Sequence, residues 1–152
     1  MKVLIFGLPG SGKTTLARKT IEVLQSSGIS CTHINADEVR SLYSDWDFSE
    51  EGRIRQARRM KDLTEACDSD VTITDFVCPY NSLRQEFGAD LLVHMNTIDR
   101  GRFENTNAVY EKPTMARLEF NSFSTDSDEE IGNDRNCLIL VDRIRFMLGR
   151  GF

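Results

Sequence analysis

Apolar residues fall into short continuous runs, separated by longer stretches in which they recur at helical spacing. Val3-Leu4-Ile5-Phe6 is one such run and predicts a strand buried on both faces. From about Gly12 to Ser26, the spacing of Leu16, Ala17, Ile21 and Leu24 predicts a helix, and Gly28 follows as a C-terminal stop. Cys31 to Ile34 reads as a second strand, with a short helix expected from near Asp37. Ser49 is a good N-cap, and Glu50 and Glu51 suit the first turn of the helix it starts. That helix is expected to reach about Cys67, with Ile54, Ala57, Met60 and Leu63 turned inward. Val71 to Thr74, Leu91 to Met95 and Leu118 to Phe123 read as further strands. Cys137, Leu140, Val141, Ile144 and Met147 give a closing amphipathic helix stopped at Gly149. Two polar segments interrupt the pattern. Residues 97–113 are expected to form a lid or acceptor loop, and the acidic residues 124–136 a mobile surface loop. Strands alternating with helices predict an α/β fold, a three-layer sandwich around a central, mostly parallel sheet.

Composition narrows the picture. At 152 residues and 39% hydrophobic, the chain has the material for one domain and one sheet, residues 1–152. Its net charge of −5 argues against holding nucleic acid by neutralising phosphates across a broad basic face. Four cysteines, at 31, 67, 78 and 137, form no CxxC pair, and neither His33 nor His94 has a second ligand at zinc spacing. They read as reduced thiols. No apolar run reaches membrane-spanning length, and the N-terminal apolar run is too short for a signal peptide. A soluble cytoplasmic protein is expected.

Gly7-Leu8-Pro9-Gly10-Ser11-Gly12-Lys13-Thr14 fits G-x-x-x-x-G-K-[ST], between a buried strand and an amphipathic helix. Glycines let the backbone curl so that successive N–H groups point at phosphate oxygens, and the helix N-terminus adds positive potential. Lys13 would reach the β- and γ-phosphates of ATP, and Thr14 would supply a hydroxyl to Mg²⁺; Thr15 continues the loop into the helix. Bound nucleotide is implied, the acceptor is not.

Asn35-Ala36-Asp37-Glu38-Val39-Arg40 follows the second strand, on the sheet edge where the phosphate loop lies. Asp37 there could take the proton of an attacking hydroxyl, and Arg40 could hold an acceptor phosphate. Equally, Asp37 could be a helix cap and Arg40 a solvated cation. Arg53, Arg55, Arg58 and Arg59 share one helix, as a basic patch or a solvated face. Asp75 ends an apolar strand, which suits a metal contact through water or an ordinary turn.

The order of these motifs resembles that of the adenylylsulfate kinases, P-loop enzymes that phosphorylate the 3′-hydroxyl of adenosine 5′-phosphosulfate. Against the family's GLSGAGKTT, DGDNVR, GFSxxDRxENIRR, FISPY and GFTGIDDPYEAP, this chain carries GLPGSGKTT, NADEVR, DFSEEGRIRQARR, FVCPY and RFENTNAVYEKP. The likeness runs from about Lys2 to Pro113. It implies ATP and Mg²⁺ as cofactors, Asp37 as the base, and Arg40 and Arg53 as grips on the phosphosulfate. Phe48 and Phe103 would sandwich the acceptor's adenine. Gln56 stands at the family's asparagine, and Val77 and Cys78 stand in the FISPY segment beside the acceptor. A homodimer is consistent with the resemblance. Several positions depart from it. Asn35 replaces the first aspartate of DGD, Cys78 replaces a serine, and Asp75 has no usual counterpart. The family's RDPKGLYKKA-like lid is missing, leaving Arg100 and Arg102 to meet ATP phosphates. These departures keep open a kinase for another hydroxyl, such as a modified nucleoside, a sugar alcohol or a polynucleotide 5′-end. They also keep open a nucleotide-binding regulator without turnover.

Overall fold

The computed structural model describes residues 1–123 and 129–150, with backbone alone over 129–133. Five strands form one sheet: β1 (Lys2–Phe6), β2 (Cys31–Asn35), β3 (Val71–Phe76), β4 (Leu91–Met95) and β5 (Leu118–Phe120). Their order is β2-β3-β1-β4-β5, and every pairing is parallel. The helices are α1 (Lys13–Ser26), α2 (Ala36–Tyr43), α3 (Glu50–Glu65), α4 (Asn81–Phe87), α5 (Glu104–Val109) and α6 (Glu129–Met147).

Alternation along each strand divides the core in two. Val3 and Ile5 of β1 point, with Val71, Ile73 and Val93, to the layer of α1 and α6, where they meet Leu16, Leu24, Leu140 and Ile144. Leu4 and Phe6 point the other way, to Val39 of α2, Ala57 and Met60 of α3, and Leu83 and Phe87 of α4. Buried on both faces, the strands carry the near-continuous apolar runs that mark parallel sheets. Two helices close with the same device. Ile29 N–H bonds Leu24 O and Gly28 N–H bonds Gln25 O; at the far end Arg150 N–H bonds Arg145 O and Gly149 N–H bonds Phe146 O.

The structure corrects several expectations. Helix α6 begins at Glu129, so residues 129–136 of the expected acidic loop are helical, while 124–128 lie outside the described residues. Met147, expected inward, is 42% exposed. Residues 97–113 are not all loop, since they contain α5. Strand β5 ends at Phe120 rather than Phe123. Helix α4 was not foreshadowed by the apolar pattern. In α3 the buried residues are Gly52, Arg53, Gln56, Ala57, Met60 and Thr64, with Ile54 and Leu63 only partly buried. The helix is thus turned to bury polar side chains that find partners in the site.

The topology places that site. The chain passes from β1 to β2, leaving the place that β3 later fills, and then crosses from β3 over β1 to β4. The crevice at the C-terminal ends of β1 and β3 is where open parallel sheets bind ligands.

Candidate active site

Strand β1 delivers the glycine-rich loop directly into α1. Gly12 sits at the N-cap of α1 with φ +94°, a left-handed conformation that favours glycine. The loop is tied at Ser11. Ser11 N–H bonds Leu8 O at 3.1 Å, and Thr97 Oγ1, just beyond β4, donates to Ser11 O at 2.8 Å. Pro9 and Gly10 form its outer rim. Lys13 is folded over the loop, with Nζ donating to Leu8 O at 3.0 Å. Burial lowers its pKa to about 8, against the raising influence of Asp75 and then Asp37, while nearby Arg102 lowers it further. Four sequence-predicted residues, Lys13, Asp37, Asp75 and Arg102, therefore share one electrostatic neighbourhood. Thr15 follows in the first turn of α1.

Beneath the loop lies a polar network. Thr14 Oγ1 donates to Asp75 Oδ1 at 2.9 Å, and Asn35 Nδ2 donates to Thr14 Oγ1 at 3.1 Å. Asp75 is 1% exposed and sits within β3, which continues to Phe76, so it is not the turn residue a strand end would supply. Its Oδ2 meets His33 Nε2 in a short hydrogen bond. His33 escaped the sequence reading because its partner is forty-two residues away; alternation on β2 puts His33 and Asn35 on one face, and strand pairing brings both to Asp75. Among the described residues no group of three His, Cys, Asp or Glu could hold a metal by itself. One hydroxyl and one carboxylate do fit Mg²⁺, which keeps its waters and takes further oxygens from substrate phosphates.

Helix α2 starts at Asn35, whose Oδ1 accepts from Glu38 N–H at 3.1 Å. The cap is thus Asn35, and Asp37 is left exposed in the first turn with no hydrogen bond to a described residue. Arg40, on the inner face of α2, is buried. It donates to the carbonyls of Asp45 and Asp47 at 3.0 and 3.2 Å and lies 4.3 Å from the centre of the Phe48 ring. Gly52 lets this 45–48 turn seat on α3: a Cβ there would lie 2.2 Å from Asp47 O.

Arg53, also buried, joins two distant segments. Its Nε donates to Phe48 O at 2.9 Å and its NH2 to Thr106 Oγ1 at 3.1 Å. Thr106 belongs to α5, whose N-cap is Phe103. The segments that carry Phe48 and Phe103, 45% and 49% exposed, are thereby tied to one arginine, though no ring contact joins the two rings. Burial pulls both guanidinium pKa values below their ordinary range. Gln56 donates to Ala36 O at 3.1 Å, leaving its buried Oε1 without a partner. The other helix arginines are paired outside the crevice: Arg55 and Arg59 with Asp45, and Arg58 with Glu86.

The remaining residues divide. Val77 is half-buried. The Cys78 side chain is wholly buried in the core cluster with α3 and α4, and burial pushes its thiol up to about 12, so it stays protonated. Its backbone has φ +43°, held by Arg84, which donates to Cys78 O at 2.8 Å and Pro79 O at 3.2 Å. Arg100 is exposed and paired with Glu104 rather than aimed at the loop. The segment before α5 is clipped by Asn107, which accepts from Gly101 N–H at 2.8 Å and donates to Gly101 O at 2.9 Å.

Comparison with known proteins follows this division. The family model described as adenylylsulphate kinase matches residues 1–99. The adenylyl-sulfate kinase of Klebsiella pneumoniae is 38% identical over 82 residues, covering 52% of this chain and 41% of that one. The chain thus spans less than half the length of the curated relatives it matches. In fold, the chain is similar to the Mycobacterium tuberculosis APS kinase CysC solved with AMPPNP and APS. The TM-score is 0.73 at 20% identity, covering 93% of this chain and 95% of that one. It is also similar to the shikimate kinase of Acinetobacter baumannii solved with shikimate, with a TM-score of 0.62 at 18% identity, covering 99% and 94%. No described helix is long and apolar enough to cross a membrane.

Proposed function

The chain belongs to the adenylylsulphate kinase family, and from that premise we propose that it transfers the γ-phosphoryl group of ATP to the 3′-hydroxyl of adenosine 5′-phosphosulfate. The observation that carries this reading is the hydrogen bond of 2.9 Å from Thr14 Oγ1 to the buried Asp75 carboxylate, next to Lys13 folded over the glycine loop with Nζ on Leu8 O at 3.0 Å. It sets a hydroxyl, a metal-binding carboxylate and a cation that can meet transferring phosphate in one place.

Each residue then has a task. Loop N–H groups from Gly7 to Thr14 cradle the phosphates. Lys13 leaves its bond to Leu8 O and follows the charge that develops on the γ-phosphoryl oxygens. Thr14 and Asp75 would hold Mg²⁺, which would supply neutralising charge for the β- and γ-phosphates. Asp37, exposed and unpartnered, takes the proton from the acceptor hydroxyl as the new O–P bond forms. Phe48 and Phe103 stack on the acceptor's base, and Arg40 and Arg53 lie under that pocket. Gln56 Oε1 offers an acceptor for a ligand N–H.

A second reading, a kinase for a different hydroxyl, has its own support. Two of the five N–H donors of Arg40 and two of those of Arg53 are used within the protein, on Asp45, Asp47, Phe48 and Thr106. Arg100 is paired with Glu104. Fewer free cations surround the acceptor than a phosphosulfate invites. An acceptor panel decides: ADP release with ATP and Mg²⁺ should be fastest with adenosine 5′-phosphosulfate. Faster release with shikimate, a sugar alcohol or a nucleoside would select the second reading.

A further inference from the structure

Asn35 and Asp75 are register partners on adjacent parallel strands. They approach the same hydroxyl: Asp75 Oδ1 lies 2.9 Å from Thr14 Oγ1, and Asn35 Nδ2 lies 3.1 Å from it. They also approach each other, with Asn35 Nδ2 at 3.3 and 3.4 Å from the two oxygens of Asp75. Both side chains are buried.

Every polar group of this pair is assigned. The two amide hydrogens of Asn35 serve Thr14 and Asp75, and its Oδ1 caps α2 on Glu38 N–H. Asp75 Oδ1 accepts from Thr14, and its Oδ2 meets His33. A side-chain amide is the one group of this shape that caps a helix with its oxygen and donates with its nitrogen to two acceptors. A carboxylate at 35 would keep the cap but set a second anion against Asp75 in a buried place, where like charges repel strongly. The site therefore holds one carboxylate, and either strand could carry it beside Thr14.

We infer that positions 35 and 75 are an exchangeable pair, in which β3 supplies the magnesium-facing carboxylate and Asn35 is the positioning residue that holds it against Thr14. This rests on the kinase reading. The aspartate expected at position 35 from the resemblance is, on this account, relocated across the strand pair rather than lost. The prediction that distinguishes relocation from loss is reciprocity.

The test is calorimetric titration of the whole protein with the ATP analogue AMPPNP, with and without magnesium chloride. In the wild type, magnesium should tighten binding by about tenfold, an ordinary coupling between two ligands. Asp75→Asn should abolish that gain while metal-free binding persists, which reports an intact loop. The double exchange Asn35→Asp with Asp75→Asn should recover most of the gain. A double variant that binds the analogue without metal yet shows no magnesium effect overturns the inference, as does Asp75→Asn with the gain intact. Asn35→Asp alone provides a second measurement. Its thermal midpoint without metal should fall below the wild type, and magnesium with AMPPNP should restore it; an unchanged midpoint also overturns the inference. A wild-type protein that binds no nucleotide would sink the kinase reading, and this inference with it. Failed reciprocity in a protein that binds magnesium and nucleotide normally would sink this inference alone.

Discussion

Lys13 shows most clearly how burial becomes chemistry at a single residue. Burial lowers its pKa from 10.5 to about 8 in the free protein. The folded state therefore sheds this proton before the unfolded state does. The lysine costs stability below about pH 8, and that cost is relieved as pH rises toward 10.5. Nucleotide phosphates reverse the preference, because they favour the ammonium. Below about pH 8 the charge is already in place; above it, binding must take up a proton. Affinity for an ATP analogue should accordingly weaken above that pH, by up to about tenfold per pH unit. A flat affinity through that range, measured by calorimetry, would mean that Lys13 does not meet the phosphates. Asp37 gives the complementary residue-scale expectation. Replacing it with asparagine keeps its size and removes its basicity, so kcat should drop by roughly a hundredfold or more. ATP affinity should hardly change. Should ATP affinity collapse while the saturated rate holds, Asp37 belongs to the nucleotide or its metal instead.

At the scale of elements, α3 joins the two halves of the site. Arg53 reaches back to Phe48 and across to Thr106 on α5, fixing the segments that carry the two exposed rings. If those rings clamp an adenine, Phe48→Ala and Phe103→Ala should each raise KM for adenosine 5′-phosphosulfate, with ATP affinity preserved. Stacking is worth about 1–3 kcal/mol per base, or roughly five- to a hundredfold. Unchanged KM in both variants would remove the adenine from this pocket. The same helix marks the limit of what the sequence made legible. The strand, glycine loop and helix from Lys2 to Ser26 could be read because the apolar run is continuous and the loop signature specific. Ser49 was legible as a cap because its hydroxyl has one local task, met by Gly52 N–H. The rotation of α3 was not. Apolar period alone turns Ile54 and Leu63 inward, whereas Arg53 and Gln56 are buried by partners at residues 106 and 36. Helices α4 and α5, seven and six residues long, are too short to show a period. His33 was invisible for a related reason, since its partner depends on strand pairing. Cys78, read as an acceptor contact, proves to be a core side chain.

Across the whole molecule, strand order gathers what the sequence spreads out. With β1 at the centre, flanked by β3 and β4, the phosphate loop, Asn35, Asp75 and the segment after Met95 meet at one edge of the sheet. The glycine loop, Asn35 and Asp75 lie within residues 1–99, which the family model matches. Phe103, Thr106 and the Asn107 clip lie beyond it, in a segment with one short helix. The net charge of −5 is compatible with this arrangement, because Lys13, Arg40 and Arg53 are gathered at the site while Arg55, Arg58 and Arg59 are paired with carboxylates. The most direct test is identification of the product by mass spectrometry and phosphorus NMR after incubation with ATP, Mg²⁺ and adenosine 5′-phosphosulfate. The account predicts one added phosphoryl group, on the 3′-hydroxyl, with ADP formed in equal amount. Recovery of unchanged adenosine 5′-phosphosulfate from a protein that binds ATP and Mg²⁺ would contradict it.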